Sequence, residues 1–256
     1  MAKGRDEVMR RVSQLTWLIF AIISWWSTTA EVRPEVTIRG VVFEDVNRNN
    51  VRDANESGIA NVIVTDGNNV VHTDANGRYL LRSRGMPTFV YITQPSGYTA
   101  IGRWYHRLRA PQLASSASGE FEVNFALVRE RQERPFIFVQ ATDIHMTTEA
   151  TLDRVRAFVA DINRMRIRPA FVVVTGDLVA GSDATPLSTG RTWYRLYKRA
   201  WENLTVTAYH VVGNHDVAGV NVRDESKVNR LAPDYGKGMF EAYLHPRYYG
   251  FEYANV

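Results

Sequence analysis

The chain has 256 residues, of which 45% are hydrophobic and 23% are charged, a balance typical of globular proteins that excludes a largely disordered chain. The formal net charge of +4 is too small to indicate nucleic-acid binding by itself. The absence of cysteine excludes a disulfide framework, although a chain of this length can bury a core without one.

The first 30 residues have the pattern of an export signal. Basic residues, among them Lys3 and Arg5, precede an apolar run over residues 17–26 that is too short to span a bilayer comfortably, and small residues follow near Ala30. We therefore predict a signal peptide over residues 1–30, with an uncleaved membrane anchor as the alternative. Either one places the rest of the chain outside the cytoplasm, so we expect a periplasmic, cell-surface or extracellular protein.

The pattern of residues 36–128 is that of short strands. Segments such as TIRGVVFED and GRYLLRS cluster or alternate β-branched and aromatic residues, and Gly, Asn, Asp and Pro separate them. This pattern predicts a small antiparallel β-sandwich. Residues 129–135 contain no apolar side chain to bury apart from a terminal proline, and they suit a linker.

One loop of this β-region, DVNRNNVRDANE, has the ligand spacing of an EF-hand calcium loop. Its oxygen donors at positions 1, 3, 5, 7, 9 and 12 would be Asp45, Asn47, Asn49, the carbonyl of Val51, Asp53 and Glu56. No helical pattern flanks the loop. It resembles the calcium-binding B-type modules of bacterial surface adhesins, which carry a similar loop after a G-x-V-F-x-D strand. The alternative is an Asn/Asp-rich turn that binds no ion.

Residues 136–256 have a different pattern. FIFVQATD and AFVVVTGD are continuous apolar runs, as expected of strands covered on both faces, and VTAYHVVGNHD predicts a third strand. Apolar residues recur at helical spacing between the strands, from about Thr151 to Ile162 and from Trp193 to Trp201. The order strand, helix, strand, helix, strand predicts a layered α/β domain with parallel pairing.

Polar motifs follow the three strands, in the order DIH, GD and GNHD. Because sites in open α/β sheets form beyond the carboxyl ends of the strands, we expect Asp143, His145, Asp177 and Asn214 to converge at one edge. Carboxylate, imidazole and amide donors suit Mn, Fe or Zn. Two such ions can hold a hydroxide and clamp a phosphoryl group during in-line attack.

The remaining residues of GNHD have separate expected roles. Gly213 lets the backbone turn closely beside the metals. His215 is left free to meet the substrate as a proton donor or as a positive charge on the leaving oxygen. Asp216 is expected to orient that imidazole or to cap the next segment.

These motifs, in this order and after strands, resemble the calcineurin-like metallophosphoesterase superfamily over roughly residues 136–256. The resemblance implies an αββα sandwich that hydrolyses phosphomonoesters or phosphodiesters through a hydroxide held by two divalent metal ions. By that resemblance Asp143, His145 and Asp177 hold the first metal, Asp177 and Asn214 hold part of the second, and His215 is the catalytic histidine.

The superfamily's later lone His and its G-H-x-H are absent from this sequence. We therefore expect the domain to be incomplete at its C-terminus and the chain to be an N-terminal fragment. His245 precedes the strand in which the next ligand is expected, and His210 is expected to pack within its strand. The rival interpretation is a calcium-stabilised surface or binding module whose phosphoesterase-like half is inactive. Association with the cell surface or envelope is compatible with both.

Overall fold

The computed structural model describes residues 35–85, 87–108, 120–132 and 134–256. The predicted signal peptide, residues 1–30, lies outside the described residues. Within these ranges no helix combines the length and the apolar character needed to cross a bilayer. Val36–Val256 form one compact unit, which contains two separate hydrophobic cores.

Nine strands are described in the N-terminal half. They are β1 (Glu35–Glu44), β2 (Ile63–Thr65), β3 (Val70–His72), β4 (Arg78–Arg84), β5 (Phe89–Ile92), β6 (Tyr98–Ala100), β7 (Tyr105–Arg107), β8 (Glu120–Glu122) and β9 (Phe125–Arg129). One sheet has the order β4-β1-β9-β6, with β8 also paired to β1, and the other has the order β3-β2-β5-β7. Side chains from both sheets share the first core, where Ile38, Leu81 and Ile92 are fully buried. The predicted all-β sandwich is confirmed.

Strand pairing in the sandwich departs from the prediction in one respect. β2 with β3, β2 with β5, β5 with β7 and β6 with β9 are antiparallel, as expected. β1, however, runs parallel to both β8 and β9. Parallel neighbours need a long crossover connection, and the second sheet lies between β1 and β8 in the chain and supplies it. The predicted antiparallel pairing is therefore wrong for β1 with β8 and β9, whereas the predicted sandwich is confirmed.

The C-terminal half alternates strands and helices as predicted. Its elements are β10 (Val139–Ala141), α1 (Glu149–Asn163), β11 (Phe171–Thr175), α2 (Leu187–Trp201), β12 (Thr207–Val211) and α3 (Gly238–Tyr243). The three strands are parallel in the order β10-β11-β12. α1 begins after Thr148, whose side chain accepts a hydrogen bond from the Thr151 amide. α2 buries Tyr194 and Tyr197 completely in the second core.

The first strand of this sheet is less covered than the sequence suggested. β10 is a three-residue edge strand, and the apolar residues before it are exposed: 39% for Ile137 and 52% for Phe138. β11, in contrast, lies between two neighbours and buries Val172 and Val174 completely. A continuous apolar run therefore did not distinguish a central strand from an edge strand, because the run encodes hydrophobicity and not the number of neighbours.

The β-region and the α/β region meet at a seam rich in aromatic rings. Tyr105 on β7 donates a hydrogen bond from its hydroxyl to the Leu244 carbonyl at 2.6 Å. The Trp104 ring lies 5.3 Å from the His245 ring and 4.8 Å from the Tyr249 ring, measured between centroids. A backbone hydrogen bond also crosses the seam: the amide of Glu252 donates to the Gln94 carbonyl at 2.9 Å. These contacts make the β-region part of the packing of the C-terminal half.

The segment predicted as a linker, residues 129–135, also takes part in the seam. The side-chain oxygen of Gln132 accepts hydrogen bonds from the amides of Gly97, at 2.8 Å, and Ala254, at 2.7 Å. Polar contacts therefore hold this segment in place at Gln132.

Candidate metal centre

The segments that follow β10 and β11 run side by side beyond the strand ends. The Asp143 amide donates to the Gly176 carbonyl at 3.3 Å, and the His145 amide donates to the Asp177 carbonyl at 3.0 Å. Met146 continues the pairing with an isolated parallel bridge to Val179. These backbone bonds hold the DIH and GD motifs against each other, although His145 and Gly176 are 31 positions apart in the sequence.

Three predicted metal ligands converge at this edge. One ligand atom from each of Asp143, His145 and Asp177 lies within 4.8 Å of the other two, and this is the sole such group of acidic, histidine or cysteine residues in the described ranges. The His145 Nε2 and Asp143 Oδ1 atoms are 3.5 Å apart. Asp143 is exposed and the other two residues are half-buried, so an ion and a substrate can reach the group from solvent.

The backbone of all three residues is left-handed. The φ angles are 53° at Asp143, 47° at His145 and 51° at Asp177. Asp and His visit this region more readily than most side chains, but each such residue still costs about 1–3 kcal/mol. Three of them in one group indicate that the surrounding structure holds the ligands in an unfavourable conformation, as is common at functional sites.

The GNHD loop after β12 contacts Asp177 through Gly213. A Cβ atom at Gly213 would lie 2.3 Å from both the amide nitrogen and the Oδ1 atom of Asp177. Only glycine fits this approach, which is the role that the sequence predicted. The His215 amide then donates to the same Asp177 Oδ1 atom at 3.2 Å. The third motif is thereby fixed beside the other two.

Asn214 lies on this loop between Gly213 and His215 and is exposed. Its carbonyl accepts a hydrogen bond from the Val217 amide at 3.4 Å. Its assignment as a ligand of a second metal stays a prediction.

The His215 imidazole is held by an acidic residue that the sequence did not single out. Its Nδ1 atom lies 3.0 Å from Asp183 Oδ1, and the second oxygen of Asp183 accepts a hydrogen bond from the Asn221 side chain at 2.8 Å. Because a carboxylate only accepts, Nδ1 of His215 is the donor and Nε2 is left for another partner. The His215 ring centroid lies 5.4 Å from that of His145, which places the imidazole at the metal group.

The two members of this pair shift each other's pKa in the expected directions. The hydrogen bond to Asp183 is the main cause that raises the pKa of His215 above its ordinary value. Burial raises the pKa of the Asp183 carboxyl, but hydrogen bonds from Asn221 and His215 outweigh that effect and the pKa is lowered overall. The pair therefore favours a protonated imidazole beside an ionised carboxylate.

Asp216 does not orient the imidazole, which corrects the first of its two predicted roles. Its buried carboxylate accepts hydrogen bonds from the Gly213 amide at 2.7 Å and from the Val179 amide at 3.1 Å, so it ties the GNHD loop to the loop after β11. Burial raises the pKa of Asp216. The carboxylate on the imidazole belongs to Asp183, whose one signal in the sequence was its position shortly after the GD motif.

Other histidines lie away from this group. His210 packs within β12, as predicted, where its Nδ1 atom lies 2.8 Å from the Tyr197 hydroxyl. His245 is buried in the seam, donates from Nδ1 to the Pro246 carbonyl at 2.8 Å, and belongs to no metal-binding group in the described part of the chain.

The donor set fits a divalent metal. Two carboxylates and one imidazole at this spacing provide the oxygen and nitrogen ligands preferred by Mn, Fe or Zn. Asp177 has a second carboxylate oxygen, and Asn214 is the next exposed donor on the adjacent loop. The residues present therefore fit one ion directly.

The loop over residues 45–56 is built around two buried carboxylates. Asp45 is 0% exposed and Glu56 is 5% exposed. Glu56 accepts hydrogen bonds from the amides of Val46, at 2.9 Å, and Asp53, at 3.0 Å. Asp45 Oδ2 accepts from the Asn50 amide at 2.6 Å. Backbone amides thus compensate the burial of both charges.

The remaining side chains of this loop bond to one another. The side-chain nitrogens of Asn47 and Asn49 donate to Asp53 Oδ2 at 2.7 Å and 3.0 Å. The Asn49 side-chain oxygen accepts from the Val51 amide at 2.7 Å. Calcium binding by this loop stays a prediction.

Two family models match the chain. The one described as "Calcineurin-like phosphoesterase" matches residues 136–255, and the one described as "N terminal of Calcineurin-like phosphoesterase" matches residues 45–130. The chain belongs to the calcineurin-like phosphoesterase superfamily. The Asp143, His145 and Asp177 group therefore lies in the calcineurin-like phosphoesterase domain, and the β-region corresponds to the superfamily's N-terminal domain.

Similarity to individual proteins is local. Colossin-A from Dictyostelium discoideum is 39% identical over 66 residues, which cover 25% of this chain and 1% of Colossin-A. Two mutant forms of shaft pilin SpaA from Lactobacillus rhamnosus GG align at 11% and 12% identity, with TM-scores of 0.24 and 0.25. Each alignment covers 43% of this calcineurin-like phosphoesterase chain and 53% or 54% of the pilin chain. Such TM-scores do not show a shared fold.

Proposed function

We propose that this protein is a metal-dependent phosphoesterase that hydrolyses phosphomonoester or phosphodiester bonds. The observation that carries the proposal is the convergence of Asp143, His145 and Asp177 within 4.8 Å in a calcineurin-like phosphoesterase domain. Its substrate is a phosphate ester.

Asp143, His145 and Asp177 would hold the first divalent ion, and Asp177 with Asn214 would hold part of a second. When bound, two such ions neutralise charge on the phosphoryl oxygens and lower the pKa of a coordinated water. The protein's own contribution is to fix the ligands, which the left-handed backbone and the Gly213 contact achieve.

His215 is the proposed general acid. Its Nδ1 proton is engaged by Asp183, so Nε2 is the atom that can meet the leaving oxygen. The same hydrogen bond raises the pKa of His215 and so favours the protonated form that a general acid requires. Asp183 is the proposed positioning residue.

The test is hydrolysis of an aryl phosphate and a bis-aryl phosphodiester by the purified full-length protein with manganese, before and after chelation. We expect Asp177→Asn to lose metal binding and turnover, and His215→Ala to keep metal binding and lose turnover by about a hundredfold or more. Manganese binding is measured separately by calorimetry. Asp161→Asn and His72→Ala are matched controls, because both residues are exposed and lie outside the metal group.

Two results would contradict the proposal. One is turnover by Asp177→Asn and His215→Ala equal to that of the controls on an accepted substrate. The other is stoichiometric calcium with no manganese bound and no hydrolysis of either ester.

A second candidate function is a calcium-stabilised surface or binding module with an inactive phosphoesterase-like half. The oxygen donors spaced over residues 45–56 favour it, because that spacing matches a calcium loop whose first and last carboxylates, Asp45 and Glu56, are both buried. Calcium is then expected to raise the thermal midpoint of the wild type and not that of Asp45→Asn. An equal shift in both would remove the loop as the calcium site, and Asp161→Asn serves as the control.

We also propose that the protein is exported, from the basic and apolar pattern of residues 1–30. Fractionation of producing cells with N-terminal sequencing tests this. A new N-terminus near Ala30 outside the cytoplasm supports a cleaved signal peptide, an intact N-terminus in the membrane supports the anchor, and a cytoplasmic protein contradicts both.

A further inference from the structure

The amino ends of the α/β strands carry an apolar surface interleaved with arginine. We call it the amino-edge patch, and it consists of Ile137 and Phe138 before β10 and of residues 164–168 before β11. The Ala170 amide donates to the Ile137 carbonyl at 2.8 Å, and the Phe138 ring stacks on the Phe171 ring at 5.3 Å. Ile137, Ile167 and Arg168 line one cleft, which joins the two stretches at this edge.

The apolar part of the patch consists of four exposed side chains. Ile137 is 39% exposed, Phe138 52%, Met165 40% and Ile167 59%. The patch therefore contains four of the twelve large apolar side chains that are exposed in the described ranges. Single exposed apolar residues need no explanation, whereas a cluster of them marks an interaction surface.

The charge of the patch has one sign. Arg164, Arg166 and Arg168 alternate with Met165 and Ile167, and residues 162–176 contain no acidic side chain. Arg164 makes an ion pair with Asp161 in which both side chains are largely exposed, so the pair is weak in water. Interleaved arginines and apolar side chains are the composition with which proteins bind the interface of an anionic bilayer.

The patch is held in place by hydrogen bonds to the loop before β12. The Asn163 side chain donates to the Asn203 carbonyl at 2.7 Å and accepts from the Thr205 amide at 3.0 Å. Arg168 donates to the Thr205 carbonyl at 2.7 Å. These bonds anchor both ends of the exposed segment, so its apolar side chains are presented without a large rearrangement.

We propose that the amino-edge patch docks this protein onto a lipid bilayer that contains anionic lipid. Met165 and Ile167 would enter the boundary between headgroups and acyl chains, and the arginines would bind lipid phosphates. Because the metal group lies at the carboxyl ends of the same strands, docking leaves it facing away from the bilayer. The proposal rests on this surface alone and not on the proposed activity.

The test is co-sedimentation of the full chain with vesicles of phosphatidylcholine and with vesicles in which about a third of the lipid is phosphatidylglycerol. The double variant Met165→Asp with Ile167→Asp is compared with the wild type, and Arg166→Gln is tested alone. Leu231→Asp is the matched control, because Leu231 is 93% exposed and lies outside the patch. Circular dichroism and thermal midpoints verify that each variant is folded.

We expect binding to the anionic vesicles, weakened by salt. The double variant should lose tenfold or more in partition coefficient, Arg166→Gln about fivefold, and Leu231→Asp nothing. Residues 1–30 contain an apolar run that can bind vesicles in every variant. The test of the patch is therefore the difference in binding between the variants and the wild type. Binding that the double variant retains in full would overturn the proposal. A second contradicting result is that Arg166→Gln loses binding while the double variant keeps it, and the wild type also binds soluble polyphosphate. A third is that the double variant changes its oligomeric state in the absence of vesicles.

Discussion

The seam between the β-region and the α/β region contains a buried imidazole whose titration should be measurable. His245 is 6% exposed, and its Nε2 atom is buried without a hydrogen-bond partner. Burial lowers the pKa of His245 from 6.5 to about 4. The perturbation we choose is His245→Phe, which keeps an aromatic ring against Trp104 and Tyr249 and removes the titratable group.

The direction of the effect follows from the two pKa values. The folded-state pKa lies below the unfolded value, so the unfolded chain binds the proton first as the pH falls. Stability contributed by neutral His245 is therefore fully present above pH 6.5 and is lost as the pH falls toward about 4. At about pH 4.5 this loss amounts to roughly 2.5 kcal/mol, from 1.36 kcal/mol per pKa unit.

The assay is urea unfolding of both proteins at about pH 7 and about pH 4.5. His210 is the neighbouring group that feels His245, but burial and the charge of His245 lower the pKa of His210 to about 3, below the range of the assay. The comparison at about pH 4.5 therefore reports on His245. We expect the free energy of unfolding to fall by roughly 2.5 kcal/mol less in His245→Phe than in the wild type. At neutral pH the variant should lose about 1 kcal/mol, because the hydrogen bond to the Pro246 carbonyl is removed.

The control is His72→Phe, because His72 is exposed. The free energy of unfolding of this variant should change with pH by the same amount as that of the wild type. An equal fall in His245→Phe and the wild type would refute the reasoning. It would mean that the seam either opens before His245 is protonated or accommodates the charged ring.

Three further predictions concern the metal centre and the second core. Gly213→Ala should lower the free energy of unfolding by about 1–3 kcal/mol and weaken manganese binding, because the added Cβ would overlap Asp177. Unchanged values in urea unfolding and calorimetry would show that the loop has room for the methyl group. Asp183→Asn should lower the pKa of His215, because it removes the carboxylate that favours the protonated imidazole. The alkaline limb of the pH–rate profile should then move to lower pH, and turnover should fall about a hundredfold. An unchanged profile would exclude Asp183 as the positioning residue. Tyr197→Phe should lower the free energy of unfolding by about 1–2 kcal/mol, measured in urea, because it removes a hydrogen bond from the buried His210 imidazole of β12. A change near zero would argue against that bond.

Much of the α/β half follows from local pattern in the sequence. The stripe of Leu152, Val155 and Val159 has helical spacing, and α1 forms around it. Apolar runs that alternate with helices require parallel strands, and parallel strands bring their carboxyl ends to one edge. The convergence of DIH and GD was therefore predictable from the sequence. Glycine at position 213 was likewise predictable as a point of close approach.

Contacts between distant segments were decided by the tertiary structure. Asp183 reaches His215 across 32 positions, and no short motif announces such a pair. Asp216 was the nearer acid in sequence, but its buried carboxylate satisfies the amides of Gly213 and Val179. Spacing in the sequence predicts hydrogen bonds between near neighbours. Which of the two carboxylates bonds to His215 depends instead on where separate loops meet in the fold.

The pairing of whole strands shows the same division. The alternating pattern determined that β1 would be a strand, but its parallel pairing with β8 and β9 depends on the chain returning after it has built a second sheet. Hydrophobicity likewise determined that β10 would be a strand, and only its place at the sheet edge left Phe138 exposed. Periodicity encodes what a segment can bury, and the arrangement of its neighbours decides how much of it is buried.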